Sequence, residues 1–177
     1  MKNIDAVKKA IKGNEEAFEM LIKNESEKLY RTAFLYVQNK EDALDVVQET
    51  VYKAFVSIRQ VKNPEFFYTW LTRILIHTAY ALLTKRKSMV QEDISSELPD
   101  MRPADIEGKL DVMEALSLLN ENYQTAIILF YYQDLTINSI AKTMGKPENT
   151  IKTYLRRAKA ELKEIIEGGK SDEQRAH

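Results

Sequence analysis

The sequence predicts an all-α protein made of two small helical domains joined by an acidic linker. Three observations predict it. Apolar residues recur at three- and four-residue spacing along most of the chain. Only five Gly and four Pro punctuate 177 residues, too few for a chain of many short strands. Charge is also segregated. Residues 1–90 carry 15 basic and 11 acidic groups, residues 91–114 carry 2 and 8, and residues 115–177 carry 9 and 8. Two neutral-to-basic bodies thus flank an acidic strip, within a net charge of only −1.

The first body, 1–88, reads as four consecutive helices. Over 14–23, Ala17, Phe18, Leu21 and Ile22 share a face, and Leu29, Ala33, Phe34 and Val37 repeat the pattern in the next segment. Asn39-Lys40 interrupts it. A longer helix over 41–58 follows, with Leu44, Val47, Val51 and Phe55 as its expected buried stripe. Its polar ribbon, Asp42, Asp45, Gln48, Glu49 and Lys53, is a solvated face or, being too acidic for DNA, a surface for a protein partner. A loop at 59–64 leads into the fourth helix, 65–85. There Phe67, Leu71, Ile74 and Thr78 share one face with Trp70 beside them, as core residues do. Arg73, His77, Tyr80 and Thr84 form a polar stripe with an aromatic in it, ending at Lys85-Arg86-Lys87. Such a stripe can follow phosphates and stack on unpaired bases.

Residues 89–108 hold Pro99 and Pro103 without a sustained period, and read as the linker. The second body, 109–168, begins with helices near 111–119 and 123–132, and a polar, frayed tail is expected over 169–177. Between them lies the most informative segment, 135–162. Thr136 can cap a helix, Gly145 can close it in the left-handed conformation, and Pro147 suits the first turn of the next. Ala141, Gly145 and Ile151 have the spacing of a helix-turn-helix: small residue, turn glycine, buried aliphatic. Ile140, Met144, Ile151, Leu155 and Ala158 would bury the contact between its helices. The second helix then exposes Asn149, Thr150, Lys152, Thr153, Arg156, Arg157 and Lys159, basic groups for phosphates and short polar groups for base edges. An αα-hairpin with a solvated basic face would share this pattern.

Several function classes are excluded or disfavoured. The chain has no Cys, which removes disulfides, thiolate metal sites and cysteine nucleophiles. Its two His, His77 and His177, do not make a metal cluster, and no cofactor or small-molecule substrate is expected. The carboxylates lie on solvent-facing stripes, unlike a catalytic pair in a pocket, so the chain reads as a non-enzyme. The first residues lack the apolar run of a signal peptide, no stretch is long enough to span a bilayer, and the chain reads as cytoplasmic.

Three segments in this order, 41–55, 66–74 and 135–162, resemble the extracytoplasmic-function sigma factors of bacterial RNA polymerase, in the sigma-70 family. The resemblance implies sigma region 2 over 1–88 and sigma region 4 over 109–168, with promoter DNA and the clamp and flap of core polymerase as partners. It implies that Asp42, Asp45, Gln48, Glu49 and Lys53 face the polymerase. Lys62, Asn63, Tyr68, Arg73, His77, Tyr80 and Lys85 would take the melted −10 element, and the helix from Glu148 would read the −35 element. The acidic linker would thread the polymerase cleft, and an anti-sigma factor, often membrane-anchored, would regulate a stress or cell-envelope regulon. The sequence departs from the family pattern at His77 (usually Asn), Ala81 (often acidic or amide), Ser139 (usually Glu) and Asn149 (typically Gly). Promoter preference is therefore this chain's own. A free-standing helix-turn-helix regulator is the rival reading, but it needs phosphate affinity that a near-neutral chain lacks. A helical adaptor would bind protein and leave DNA untouched.

Overall fold

A computed structural model describes residues 3–93 and 112–174, and every regular element among them is helical. The N-terminal group holds α1 (Ile4–Ile11), α2 (Glu15–Val37), α3 (Lys40–Ser57) and α4 (Phe67–Asp93). The C-terminal group holds α5 (Val112–Leu118), α6 (Glu121–Ile127), α7 (Ile137–Met144) and α8 (Glu148–Gln174).

Asparagines start much of this structure. Asn3, Asn14, Asn39 and Asn120 each accept a backbone N–H three residues on, satisfying a donor that a helix start leaves bare. The short helix α1, which the apolar spacing did not mark out, buries Ala6, Val7 and Ala10. Beyond it α2 is one helix, where two segments were expected. Its middle, Lys23 to Lys28, is polar but made largely of good helix formers lying mostly in solvent. Gln38, in the left-handed conformation at φ 51°, donates its N–H to Phe34 O and ends it.

The face α3 buries differs from the expected stripe. Ala43, Val46, Thr50 and Ala54 are buried, whereas Leu44 is 52% and Phe55 46% exposed, with Val47 and Val51 between. Packed against both α2 and α4, α3 places its small residues where helix axes approach closely, and the larger side chains are displaced outward. The expected core of α4 is largely found: Phe67, Leu71 and Thr78 are buried, joined by Leu75 and Ala79, while Ile74 and Trp70 are half-buried. α4 also continues through Met89 to Asp93, into the first residues assigned to the linker. The rest of that linker, with Pro99 and Pro103, lies outside the described residues.

In the C-terminal group α6 runs into a π turn, Ile128–Tyr132, closed by Gln133 N–H on Ile128 O. Thr136 Oγ1 then accepts from Ser139 N at 3.2 Å to start α7, and Gly145 (φ 63°, ψ 35°) closes it. Pro147 stands just ahead of α8, its carbonyl accepting from Thr150 and Ile151. α8 does not fray after Gly168 but continues to Gln174. Buried residues of both groups form one continuous apolar cluster.

Candidate nucleic-acid and protein interfaces

The helix-turn-helix is built as its spacing predicts. Ile140, Ile151 and Ala158 are fully buried and Leu155 nearly so, with Met144 packed against them. On the opposite arc of α8, Asn149, Lys152, Arg156, Arg157 and Lys159 are exposed, and Thr150 and Thr153 partly so. Two of these side chains have local partners. Thr153 Oγ1 donates back to Asn149 O at 3.0 Å, and Lys159 Nζ lies 5.3 Å from the Tyr131 ring centre. Asn138 Nδ2 donates to Glu148 Oε1 at 2.7 Å, tying the first turn of α7 to that of α8.

The polar ribbon of α3 divides. Asp45, Gln48, Glu49 and Lys53 are exposed along a groove that α4 completes with Thr78, Ala81, Leu82 and Lys85. Lys53 Nζ stands 3.3 Å from Glu49 Oε1 and donates to Thr78 Oγ1 at 3.3 Å. Asp42 does not belong with them. Its buried carboxylate is gripped by Arg86, Nη1 and Nη2 each 2.5 Å from one oxygen. This pair joins the start of α3 to the C-terminal half of α4, so Asp42 is structural and not an exposed contact. Beside the ribbon, Leu44, Tyr52, Phe55 and Val56 form an exposed apolar strip. Solvent-facing residues of that size in one place fit a protein-binding surface.

The residues expected to meet the −10 element do not form one site. Lys62, Asn63 and Arg73 surround a hollow of about 530 Å³ floored by Val61, Phe66 and Trp70. Its last wall is Lys142 of α7, whose Nζ lies 5.2 Å from the Phe66 ring centre. Arg73, His77 and Tyr80 line a cleft against the C-terminal group. Tyr68 is turned toward α2, and Lys85 toward the α3 groove, because five residues along a helix turn a side chain well away from the stripe. Two 3₁₀ turns, Ile58–Gln60 and Pro64–Phe66, form the feet of the loop, with Asn63 Oδ1 accepting from Glu65 N.

Contacts between the two helical groups were not foreseen from the sequence. Arg73 Nε donates to Thr143 O at 3.0 Å and Nη2 to Lys142 O, near the end of α7, where free carbonyls attract a cation. Tyr80 Oη lies 3.0 Å from Glu121 O and Gln124 Oε1 and 3.1 Å from Thr125 Oγ1. Tyr36 Oη donates to Thr125 Oγ1, and its ring packs edge-on to Tyr80 at 5.3 Å. Burial holds both phenols well above the usual tyrosine range, opposed by the Thr125 hydrogen bond. Gln133 Nε2 to Thr32 Oγ1 and Gln38 Nε2 to Met113 O complete the seam. No local spacing signals partners 41 to 101 residues apart. Among the described residues there is no acidic, His or Cys group able to hold a metal, and no helix long and apolar enough to cross a membrane.

The family model for sigma-70 region 2 matches residues 21–89, and that for sigma-70 region 4 matches residues 109–162. The RNA polymerase sigma factor SigV of Bacillus subtilis is 41% identical over 138 residues, which is 77% of this chain and 83% of that protein. The ECF RNA polymerase sigma-E factor of Haemophilus influenzae is 29% identical, over 91% of this chain and 93% of its own. Among solved structures, the sigma factor RpoE in complex with the anti-sigma factor NepR, from Bartonella quintana, superposes with a TM-score of 0.68 at 26% identity. That match covers 85% of this chain and 96% of RpoE. CnrH, solved with the cytosolic domain of CnrY, shares the fold at TM-score 0.74 and 21% identity, over 95% and 99% of the two chains. With sigma-70 regions 2 and 4 matched in order and a relative this similar over most of its length, the chain belongs to the extracytoplasmic-function sigma factors, which take core RNA polymerase to promoters and are not enzymes.

Proposed function

We propose that the two helical groups divide the work of this sigma factor: 1–88 binds core polymerase and takes the melted −10 element, while 109–168 reads the −35 element. The observation that carries the reading is α8, whose basic and short polar side chains stand opposite a buried aliphatic seam. Lys152, Arg156 and Arg157 serve phosphates and base edges, with Asn149, Thr150 and Thr153 setting fit at the N-terminal end and Lys159 at the far side. For polymerase, Asp45, Gln48, Glu49 and Lys53 supply polar complementarity around the strip of Leu44, Tyr52, Phe55 and Val56. Lys85 joins that surface.

For the −10 element, Lys62, Asn63 and Arg73 around the apolar hollow fit one unpaired base, and Phe66 and Trp70 offer it rings to stack on. Tyr80, half-buried in the cleft between the helical groups, reaches DNA only when they part, while His77 lines the same cleft from an exposed position. Tyr68 shapes the site from its far side. The linker 89–108 threads the polymerase cleft.

We further infer an anti-sigma protein as regulator, on the likeness to RpoE solved with one, a cytoplasmic location, and a stress or cell-envelope regulon. Run-off transcription with core polymerase on genomic fragments tests the reading. Discrete start sites that need both this chain and core polymerase are expected. Tight specific duplex binding by the isolated chain at physiological salt, with no transcription, would replace it with a free-standing regulator. A net charge of −1 argues for weak binding alone.

A further inference from the structure

Helix α1 lies ahead of the matched region, which begins at residue 21. It buries Ala6, Val7 and Ala10 and packs on both 3₁₀ turns that flank the 60–64 loop. Each end of α1 also meets one foot of that loop. At its C-terminal turn Gly13 adopts φ +97°, and the Arg59 guanidinium lies so close that a Cβ there would sit 3.0 Å from Nη2. At its N-terminal cap the backbone of Asn3 hydrogen-bonds the Tyr68 hydroxyl. Arg59 lies in the first of these 3₁₀ turns, and Tyr68 sits in the first turn of α4 just after the second. Between these anchors the chain carries Lys62, Asn63, Phe66 and the wall of the hollow.

We propose that α1 is a brace across the feet of this loop, with Arg59 and Tyr68 as positioning residues that hold Lys62 and Asn63 in register for an unpaired base. The inference rests on the reading of the loop as the −10 capture element. The geometry leaves little alternative use for the contact at Gly13. A positive-φ turn with no side chain leaves room for the Arg59 guanidinium tip against the end of α1. An unbraced loop would sample more conformations and lose them again on capture, which lowers affinity without changing any contacting group.

The test uses holoenzyme assembled from core polymerase and the full chain. The probe is a fluorescent single strand carrying the −10 segment of a promoter recovered by run-off, compared with the −35 duplex of the same promoter. Gly13→Ala and Arg59→Ala act from outside the hollow, and Tyr68→Phe keeps the ring while removing the tie to Asn3. Each is expected to weaken single-strand capture roughly five-fold, the scale of one lost hydrogen bond or close contact. Duplex −35 binding should not change. Gly13→Ala and Arg59→Ala act on one contact, so the double variant should lose little more than the worse single. A folding defect would lower both affinities together, so the ratio of the two is the readout. If Asn63→Ala and Lys62→Ala weaken capture while all three brace variants match wild type in that ratio, the brace is refuted. If Asn63→Ala and Lys62→Ala are themselves silent, the reading of the loop fails and the brace with it.

Discussion

α4 and α8 are both 27 residues long, and each carries a stripe suited to DNA, yet the two stripes stand in opposite states. On α8 the basic face is turned to solvent, and its side chains make at most local contacts. On α4 the stripe is engaged: Arg73 holds the end of α7 and Tyr80 is half-buried against α6. Under the proposed division, the −35 stripe stands open to solvent, whereas the −10 stripe has Arg73 and Tyr80 occupied by α7 and α6. If that division holds, α8 can meet duplex in the closed form, while Tyr80 becomes available to a melted strand only when the groups part.

The largest expected effect tests whether the readiness of α8 is local. Ile151 is fully buried between α7 and α8. Ile151→Ala leaves a cavity and should cost about 2–5 kcal/mol of stability in thermal melting. It should remove −35 binding while leaving polymerase binding intact; equal loss of both would show that the two groups do not act separately. Next in size, Arg156→Ala should weaken −35 duplex binding by holoenzyme by about 1–3 kcal/mol if it meets a base. Asp45→Arg with Glu49→Arg should do the reverse, losing core polymerase in a pull-down while the helix-turn-helix stays folded.

Smaller still is the seam itself. Tyr80→Phe removes a hydroxyl within hydrogen-bond reach of three groups on α6, and should shift the balance toward the parted form by about 1 kcal/mol. Interdomain energy transfer or small-angle scattering would register it as a longer mean separation. An unchanged separation would mean the apolar cluster, not the hydroxyl, holds the groups together.

What was legible in the sequence follows the range of the interactions. The helix-turn-helix could be read because Thr136, Gly145, Ile140, Ile151 and Leu155 act within twenty residues and each has one local job. The −10 stripe could be read as chemistry but not as a site, since Arg73 and Tyr80 turn toward partners on α6 and α7. For α3 the largest apolar residues marked the wrong face. Ala43, Thr50 and Ala54 are buried because two neighbours crowd that side, a fact about α2 and α4 that α3 does not record. Asp42 looked like its ribbon neighbours until Arg86, 44 residues away, was found on it. The short helix α1 fell below what apolar spacing can reveal, having only three buried residues in eight.

The smallest effect concerns pH, and its sign follows from the same seam. Burial raises the Tyr80 phenol above its ordinary value of 10.0, so the closed form holds that proton more tightly than the parted form does. A group whose value is raised contributes its full stabilisation below the ordinary value and loses it as pH climbs past that point. The closed form should therefore be unaffected between pH 7 and pH 9. Near pH 10, where the exposed phenol is half ionised, closure should weaken by about 0.4 kcal/mol, roughly a two-fold shift in the balance. Tyr36, on the same seam and raised by burial as well, would respond alongside it, so the comparison with Tyr80→Phe decides the assignment. If the phenol is the group responsible, the variant should start more open and respond less between pH 9 and pH 10.5. An identical response in both proteins would place the alkaline opening on other charges and leave Tyr80 as a packing residue alone.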